Sequence, residues 1–152
     1  MLNILKKGKI TIGRKDKADF PEWNLHNMDI KIDTGAYTSA IHCHKIEEKT
    51  VGKTKKIFFT LLDPSHAQYE KQAYTTENYQ EKMVKNSFGI SEKRYVIHTK
   101  IFIFNKEYPI ELSLSERGEM KFPILIGRKF LMKKFIVDPA KFDLSYKKKK
   151  TL

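Results

Sequence analysis

The chain has 152 residues, 40% of them hydrophobic, which is the size and apolar content of one domain and excludes a disordered polypeptide. Its 30 Lys and Arg residues outnumber its 18 Asp and Glu, and a formal net charge of +12 draws acidic partners such as nucleic acid, a membrane surface or an acidic peptide. A single cysteine, Cys43, excludes an internal disulfide, no stretch reaches the roughly 18 apolar residues of a membrane span, and Met1-Leu2-Asn3-Ile4-Leu5-Lys6-Lys7 lacks a signal-peptide apolar run, so a reducing, cytoplasmic setting is expected.

Short runs rich in β-branched and aromatic residues predict strands along most of the chain: Ile10-Thr11-Ile12, Asp29-Ile30-Lys31-Ile32, Lys56 to Leu62, Tyr95-Val96-Ile97 and Ile101-Phe102-Ile103-Phe104. The segment from Asp63 to Ser91 turns polar and predicts a long excursion from the sheet, either a cover or a surface insertion, with Gly89 as its available glycine. Asn105-Lys106-Glu107 reads as a hairpin turn leading into Tyr108 to Leu114, which alternates at period 2, and Phe135-Ile136-Val137-Asp138 reads as a last strand stopped by Pro139. One short helix is expected over residues 127–134. The fold class is therefore mostly β, a single domain over residues 1–152, with the like-charge block at residues 147–152 expected to be a disordered basic tail.

Two segments carry chemistry. In Ile32-Asp33-Thr34-Gly35-Ala36, a strand ends in a tight turn where a glycine lets backbone N–H groups approach a carboxylate. Far downstream, Phe122-Pro123-Ile124-Leu125-Ile126-Gly127-Arg128 is an apolar strand reaching a glycine and then the expected helix. An isolated Asp-Thr-Gly is an ordinary turn sequence; the ordered pair, together with Ala36-Tyr37-Thr38-Ser39-Ala40-Ile41-His42, Arg94-Tyr95-Val96-Ile97-His98-Thr99 and Val137-Asp138-Pro139, is far more specific.

These segments resemble the retropepsin-like aspartic proteases, and most closely a bacterial RimK-associated family historically labelled an ATP-dependent zinc protease; the resemblance runs from about residue 10 to residue 146. It implies a closed β-barrel-type domain with one short C-terminal helix. It also implies Asp33 as the catalytic carboxylate, an active-site loop supported by Thr34, Gly35, Ala36, Thr38 and Ser39, and a second loop of Ile126, Gly127 and Arg128. Peptide hydrolysis of this class needs two carboxylates, one acting as base on water and the other as acid on the carbonyl. With one Asp-Thr-Gly in the chain, the resemblance places the second carboxylate on another copy of it, related by a two-fold axis. Viral retropepsins commonly place an acid directly after Asp-Thr-Gly-Ala to pair with the arginine of the second loop. Tyr37 stands there instead, so Arg128 must find another partner.

The zinc and ATP labels find no matching motif. His42, Cys43 and His44 are weak metal candidates, His42 and His44 sharing one face if the strand is regular, but no His-Glu-x-x-His or paired Cys-x-x-Cys accompanies them. Gly52-Lys53-Thr54 mimics the end of a phosphate-binding loop, yet Glu47 occupies the place of its first glycine. No cofactor is expected, and any ATP dependence belongs to a partner such as an ATP-grasp glutamate ligase. The expected substrate is a peptide, in keeping with the charge an acidic or glutamylated one. The alternative is a catalytically silent peptide-binding modulator of such a ligase. Nucleic acid is not the expected partner, because no recognition motif accompanies Phe58, Phe59, Phe102 and Phe104.

Overall fold

The structure, a computed structural model, describes residues 8–85, 88–116 and 121–150. Its strands are β1 (Ile10–Ile12), β2 (Lys15–Phe20), β3 (Leu25–Ile32), β4 (Ser39–Val51), β5 (Thr54–Leu61), β6 (Tyr74–Thr76), β7 (Gln80–Lys85), β8 (Ser91–Ile103), β9 (Lys106–Ser115), β10 (Ile124–Ile126) and β11 (Phe135–Val137). The helices are α1 (Arg128–Leu131) and α2 (Leu144–Lys150), with a 3-10 turn at Pro21–Trp23. The mostly β class holds. Among the described residues two short α-helices stand where one was expected, because α2 is stabilised from a distance.

Most of the sheet follows the order β10-β3-β2-β8-β9-β4-β5-β6, and β10 also pairs with β4. That second pairing closes six strands, β10, β3, β2, β8, β9 and β4, into a ring. Ile12, Phe20, Met28, Ile30, Ile41, Ile101, Leu112, Ile124 and Ile126 fill its interior, each almost completely buried. The charged sequence Lys15-Asp16-Lys17-Ala18-Asp19-Phe20 is a strand because every second residue, Asp16, Ala18 and Phe20, points inward. The aromatics of the basic strands also belong to the packing: Phe59 is buried, Phe58, Phe102 and Phe104 are half-buried, and Phe59 stacks on Tyr74 at 5.9 Å.

Residues 63–91 are not simply an excursion from the sheet. β6 pairs with β5 and β7 pairs with β8 along Gln80↔Val96 to Lys85↔Ser91, so half-exposed alternation in Gln80–Lys85 builds an edge strand where polarity alone suggested a loop. Tyr95 to Ile103, read as two strands, is part of one, since β8 runs unbroken from Ser91 to Ile103, and Phe104 falls in the turn after it. The hairpin after it turns at Phe104 and Asn105, with φ of 51° and 58°, one position earlier than expected. Gly52, at φ 65°, closes a two-residue β4–β5 hairpin, so Gly52-Lys53-Thr54 lies on a strand-to-strand turn and not on the strand-to-helix loop of a phosphate site.

The lysine block is helical through Lys150, and Thr151 and Leu152 lie outside the described residues. The helix forms despite its like charges because Asp16, buried on β2, accepts the amides of Ser145 at 2.8 Å and Tyr146 at 3.1 Å. These are amides of the first turn, which an N-cap side chain ordinarily satisfies; here a residue 129 positions away does so. Lys149 pairs with Asp19 at 2.8 Å and Lys147 lies 4.3 Å from the centre of the Phe142 ring, which disperses the remaining charge. Burial pushes the Asp16 carboxyl above the ordinary aspartate range, against the opposing effect of the amides it accepts from Ser145, Lys17 and Tyr146. Asp16→Ala would leave those amides unpaired, and is expected to lower stability by about 1–3 kcal/mol, read as a lower urea midpoint with an unchanged slope.

Candidate active site

β10 is the element that builds the site. It runs parallel to β3, with Ile124↔Ile30, Leu125↔Lys31 and Ile126↔Ile32, and antiparallel to β4, with Ile124↔Ile41 and Leu125↔Ala40. The chain between β3 and β4 must therefore loop around the end of β10. That loop is Asp33-Thr34-Gly35-Ala36-Tyr37-Thr38, and the Asp33 amide donates to Ile126 O at 2.9 Å.

Within the loop, the Ala36 amide donates to Asp33 O at 3.2 Å, closing a four-residue turn, and the Gly35 amide donates to Asp33 Oδ1 at 3.1 Å. A Cβ on Gly35 would stand 3.3 Å from that oxygen, so glycine here makes room for the carboxylate. Asp33 is half-buried at the mouth of the loop, with Thr34 and Gly35 exposed beside it. Of the expected supports, Ser39 is buried and its hydroxyl accepts the Gly127 amide at 3.0 Å, whereas Thr34 contributes its carbonyl. Thr38 is half-buried at the approach to β4.

The second loop locks against the first. Arg128 and Lys129 donate their amides to Ala36 O at 2.8 Å and Tyr37 O at 2.9 Å, and the Arg128 Nη1 donates to Thr34 O at 2.9 Å. The guanidinium also lies 5.8 Å from the centre of the Tyr37 ring. Arg128 thus replaces an acidic partner with a carbonyl and an aromatic face. The loops touch at Gly127, where a Cβ would meet Tyr37 O at 2.6 Å and Tyr37 C at 2.8 Å.

The outer face of β3 and β10 opens into a cavity of about 670 Å³, floored by Ile32, Phe122 and Leu125 and rimmed by Arg14, Lys15, Lys31 and Lys121. Lys15 pairs with Asp143 at 3.3 Å, and the Arg14 guanidinium lies 4.8 Å from the Phe142 ring centre. No local pattern announces this basic rim, because its members come from three distant segments. Nor does one announce Glu111, whose oxygens receive Lys129 at 2.8 Å and Lys82 at 2.9 Å.

The metal candidates do not converge. His42 and Cys43 are buried and His44 is exposed, because a bulge between Cys43 and Lys45 breaks the regular alternation that would have put the two histidines on one face. Burial holds the His42 imidazole below its ordinary value, with Nδ1 unpartnered, and pushes the Cys43 thiol far above its own. Among the described residues no three His, Cys, Asp or Glu side chains stand close enough to hold a metal ion.

The sequence profile of the RimB-like family, described as "Retropepsin-like aspartic endopeptidase RimB", matches residues 11–148. The chain belongs to this family. A protein named "Probable alpha-L-glutamate ligase" from Desulfotalea psychrophila is 32% identical over 132 residues, covering 87% of this chain and 28% of that protein. One of the same name from Parasynechococcus marenigrum is 28% identical over 131 residues, covering 86% and 28%. This RimB-like chain thus spans less than a third of the length of the curated relatives it matches. A solved structure of a protein with unknown function from Legionella pneumophila shares the fold, with a TM-score of 0.71 at 24% identity over 91% of this chain and 99% of that one. Among the described residues no helix is long and apolar enough to cross a membrane.

Two outcomes follow from the geometry. Gly127→Ala forces backbone apart at the loop crossing and is expected to destabilise the fold by about 1–3 kcal/mol or more, measured by thermal unfolding. Glu111 supplies a pH dependence: burial alone would raise its carboxyl, but the hydrogen bonds and charges of Lys129 and Lys82 outweigh this and hold it below the ordinary glutamate value. A lowered folded-state value stabilises above the unfolded value, about 4.3, and the contribution is lost as pH falls through the folded one. Urea midpoints of wild type and Glu111→Gln should differ at neutral pH and draw together as pH falls below about 4.

Proposed function

We propose that this chain is an aspartic endopeptidase whose site is completed by a second copy and whose substrate is an acidic or glutamylated peptide. The observation that carries the reading is the Asp33 loop: a half-buried carboxylate at a strand end, held by the Gly35 amide and locked by the Gly127–Arg128 loop, in a member of a retropepsin-like endopeptidase family. Exposed Thr34 and Gly35 beside Asp33 leave that end of the loop open to a two-fold partner.

In the dimer one Asp33 carboxylate takes a proton from water while the protonated carboxyl of its copy donates one to the scissile carbonyl oxygen. Water oxygen bonds to the carbonyl carbon, giving a tetrahedral diol. The same pair then returns a proton to the amide nitrogen and removes one from the diol, the C–N bond breaks, and an acid and an amine leave. The pair carries one proton throughout, as in pepsin-type dyads, so activity rises and falls with pH as a property of the pair. Zinc and ATP have no step in this chemistry.

The acidic substrate is supported by the basic rim of Arg14, Lys15, Lys31 and Lys121, since Lys31 and Ile32 lead directly into Asp33. The net charge of +12 adds long-range attraction. The buried, unpaired Cys43 suits a reducing compartment such as the cytoplasm. A second reading, a silent peptide-binding modulator of an ATP-grasp glutamate ligase, is favoured by the relatives, in which the matching segment is a minor part of a protein named as a ligase. Asp33→Asn separates the two. Peptidase action predicts that cleavage of a glutamate-rich peptide falls by at least about a thousandfold while binding persists; a variant that cleaves as well as wild type ends the peptidase reading. Sedimentation should show a dimer under assay conditions, and raising salt should weaken capture of the acidic peptide more than that of a neutral one.

A further inference from the structure

Glu111 lies on the face of β9 opposite Ile110 and Leu112, away from the core, yet its side chain is only 9% exposed. What covers it is charge. Oε2 accepts Lys129 Nζ at 2.8 Å, Oε1 accepts Lys82 Nζ at 2.9 Å, and His98 Nε2 stands 3.6 Å from Oε1. One carboxylate on β9 therefore joins α1, β7 and β8, three elements that reach it from different parts of the chain. Exposed ion pairs contribute little to stability, but a shielded carboxylate between two cations is geometrically demanding, and removing it leaves both without their acceptor.

The two lysines differ in what lies behind them. Lys82 sits on the edge strand β7, with no described contact to the Asp33 loop. Lys129 is the second residue of α1, and its own amide donates to Tyr37 O at 2.9 Å, next to the Arg128 amide on Ala36 O at 2.8 Å. A single residue therefore separates Glu111 from the turn that carries Asp33. α1 has four residues, too few to hold its orientation by its own hydrogen bonds; buried Phe130 and Leu131 anchor its core side, and the Glu111–Lys129 pair is its side-chain tether on the outer side.

We propose that Glu111 is a positioning residue for Asp33, acting through Lys129 to fix α1, and with it the Ala36–Tyr37 backbone, at the angle the reacting carboxylate requires. The inference rests on the peptidase reading for its kinetic consequence, and has a structural consequence that stands without it. Small displacements of a reacting group reduce rate far more than they reduce binding.

The test compares Glu111→Gln, Lys129→Met, Lys129→Arg and Lys82→Met in the full chain, with a glutamate-rich fluorogenic peptide and with amide hydrogen exchange. Glu111→Gln and Lys129→Met should each lower kcat by about tenfold with KM within about twofold, and their double variant should fall no further. Lys129→Arg should retain most of the rate. Lys82→Met removes an equally close cation from the same carboxylate, and should leave kcat within twofold although it too lowers thermal stability. Exchange at the Ala36 and Lys129 amides should quicken in Glu111→Gln and stay near wild type in Lys82→Met. A purely structural role is the alternative: kcat falling in proportion to lost stability in both lysine variants, or equal exchange in both, overturns the proposal. If wild type shows no Asp33-dependent cleavage, the peptidase reading fails and the exchange comparison alone decides the positioning of the loop.

Discussion

Everything distinctive in this molecule depends on a three-residue strand. β10 lies between β3 and β4, parallel to one and antiparallel to the other, which both closes the ring and takes the intervening chain around its end. Ile124 and Ile126 are almost fully buried and insert between Ile30, Ile32 and Ile41, so burial of apolar side chains holds the wedge in place. Asp33 is where it is because the turn has nowhere else to go. Gly127 sets the limit, since two backbones meet there with no space for a side chain.

The lock between the loops is mainly backbone. Arg128 and Lys129 amides reach carbonyls of the Asp33 loop, and Ser39 receives the Gly127 amide, so their geometry is largely insensitive to which side chains stand at Tyr37 and Thr38. This accounts for a tyrosine in a place where related loops carry an acid. The guanidinium keeps its position through the Thr34 carbonyl and the ring face, and the loop gains no negative charge beyond Asp33 itself.

The legible part of the structure was the part written in local pattern. The paired motifs at Asp33 and Gly127, the period-2 alternation of Tyr108 to Leu114 and the strand at Ile10–Ile12 identify the fold because each depends on neighbours in sequence. What escaped was set by contacts across the chain. Asp16 looks like a solvated charge among lysines but is buried to cap a helix 129 residues later, which turns a like-charge tail into an ordered element. β7 hides in a polar segment because an edge strand needs only one half-covered face. The basic rim and the Glu111 tether gather residues from separate elements, and no spacing announces them. His42 and His44 show the reverse error, a regular alternation broken by a bulge that only the partner strand reveals.

The wedge also has a consequence in time. β3 and the Asp33 turn emerge during synthesis long before Ile124–Ile126, and their pairing spans 94 residues between Ile30 and Ile124. Contacts so distant in sequence form late, after the local hairpins have closed. An incomplete chain has the Asp-Thr-Gly residues but nothing to fold them against, so the carboxylate acquires its surroundings only once the far strand has arrived. The Asp33 turn and its carboxylate thereby come into register as one of the last events of folding rather than the first.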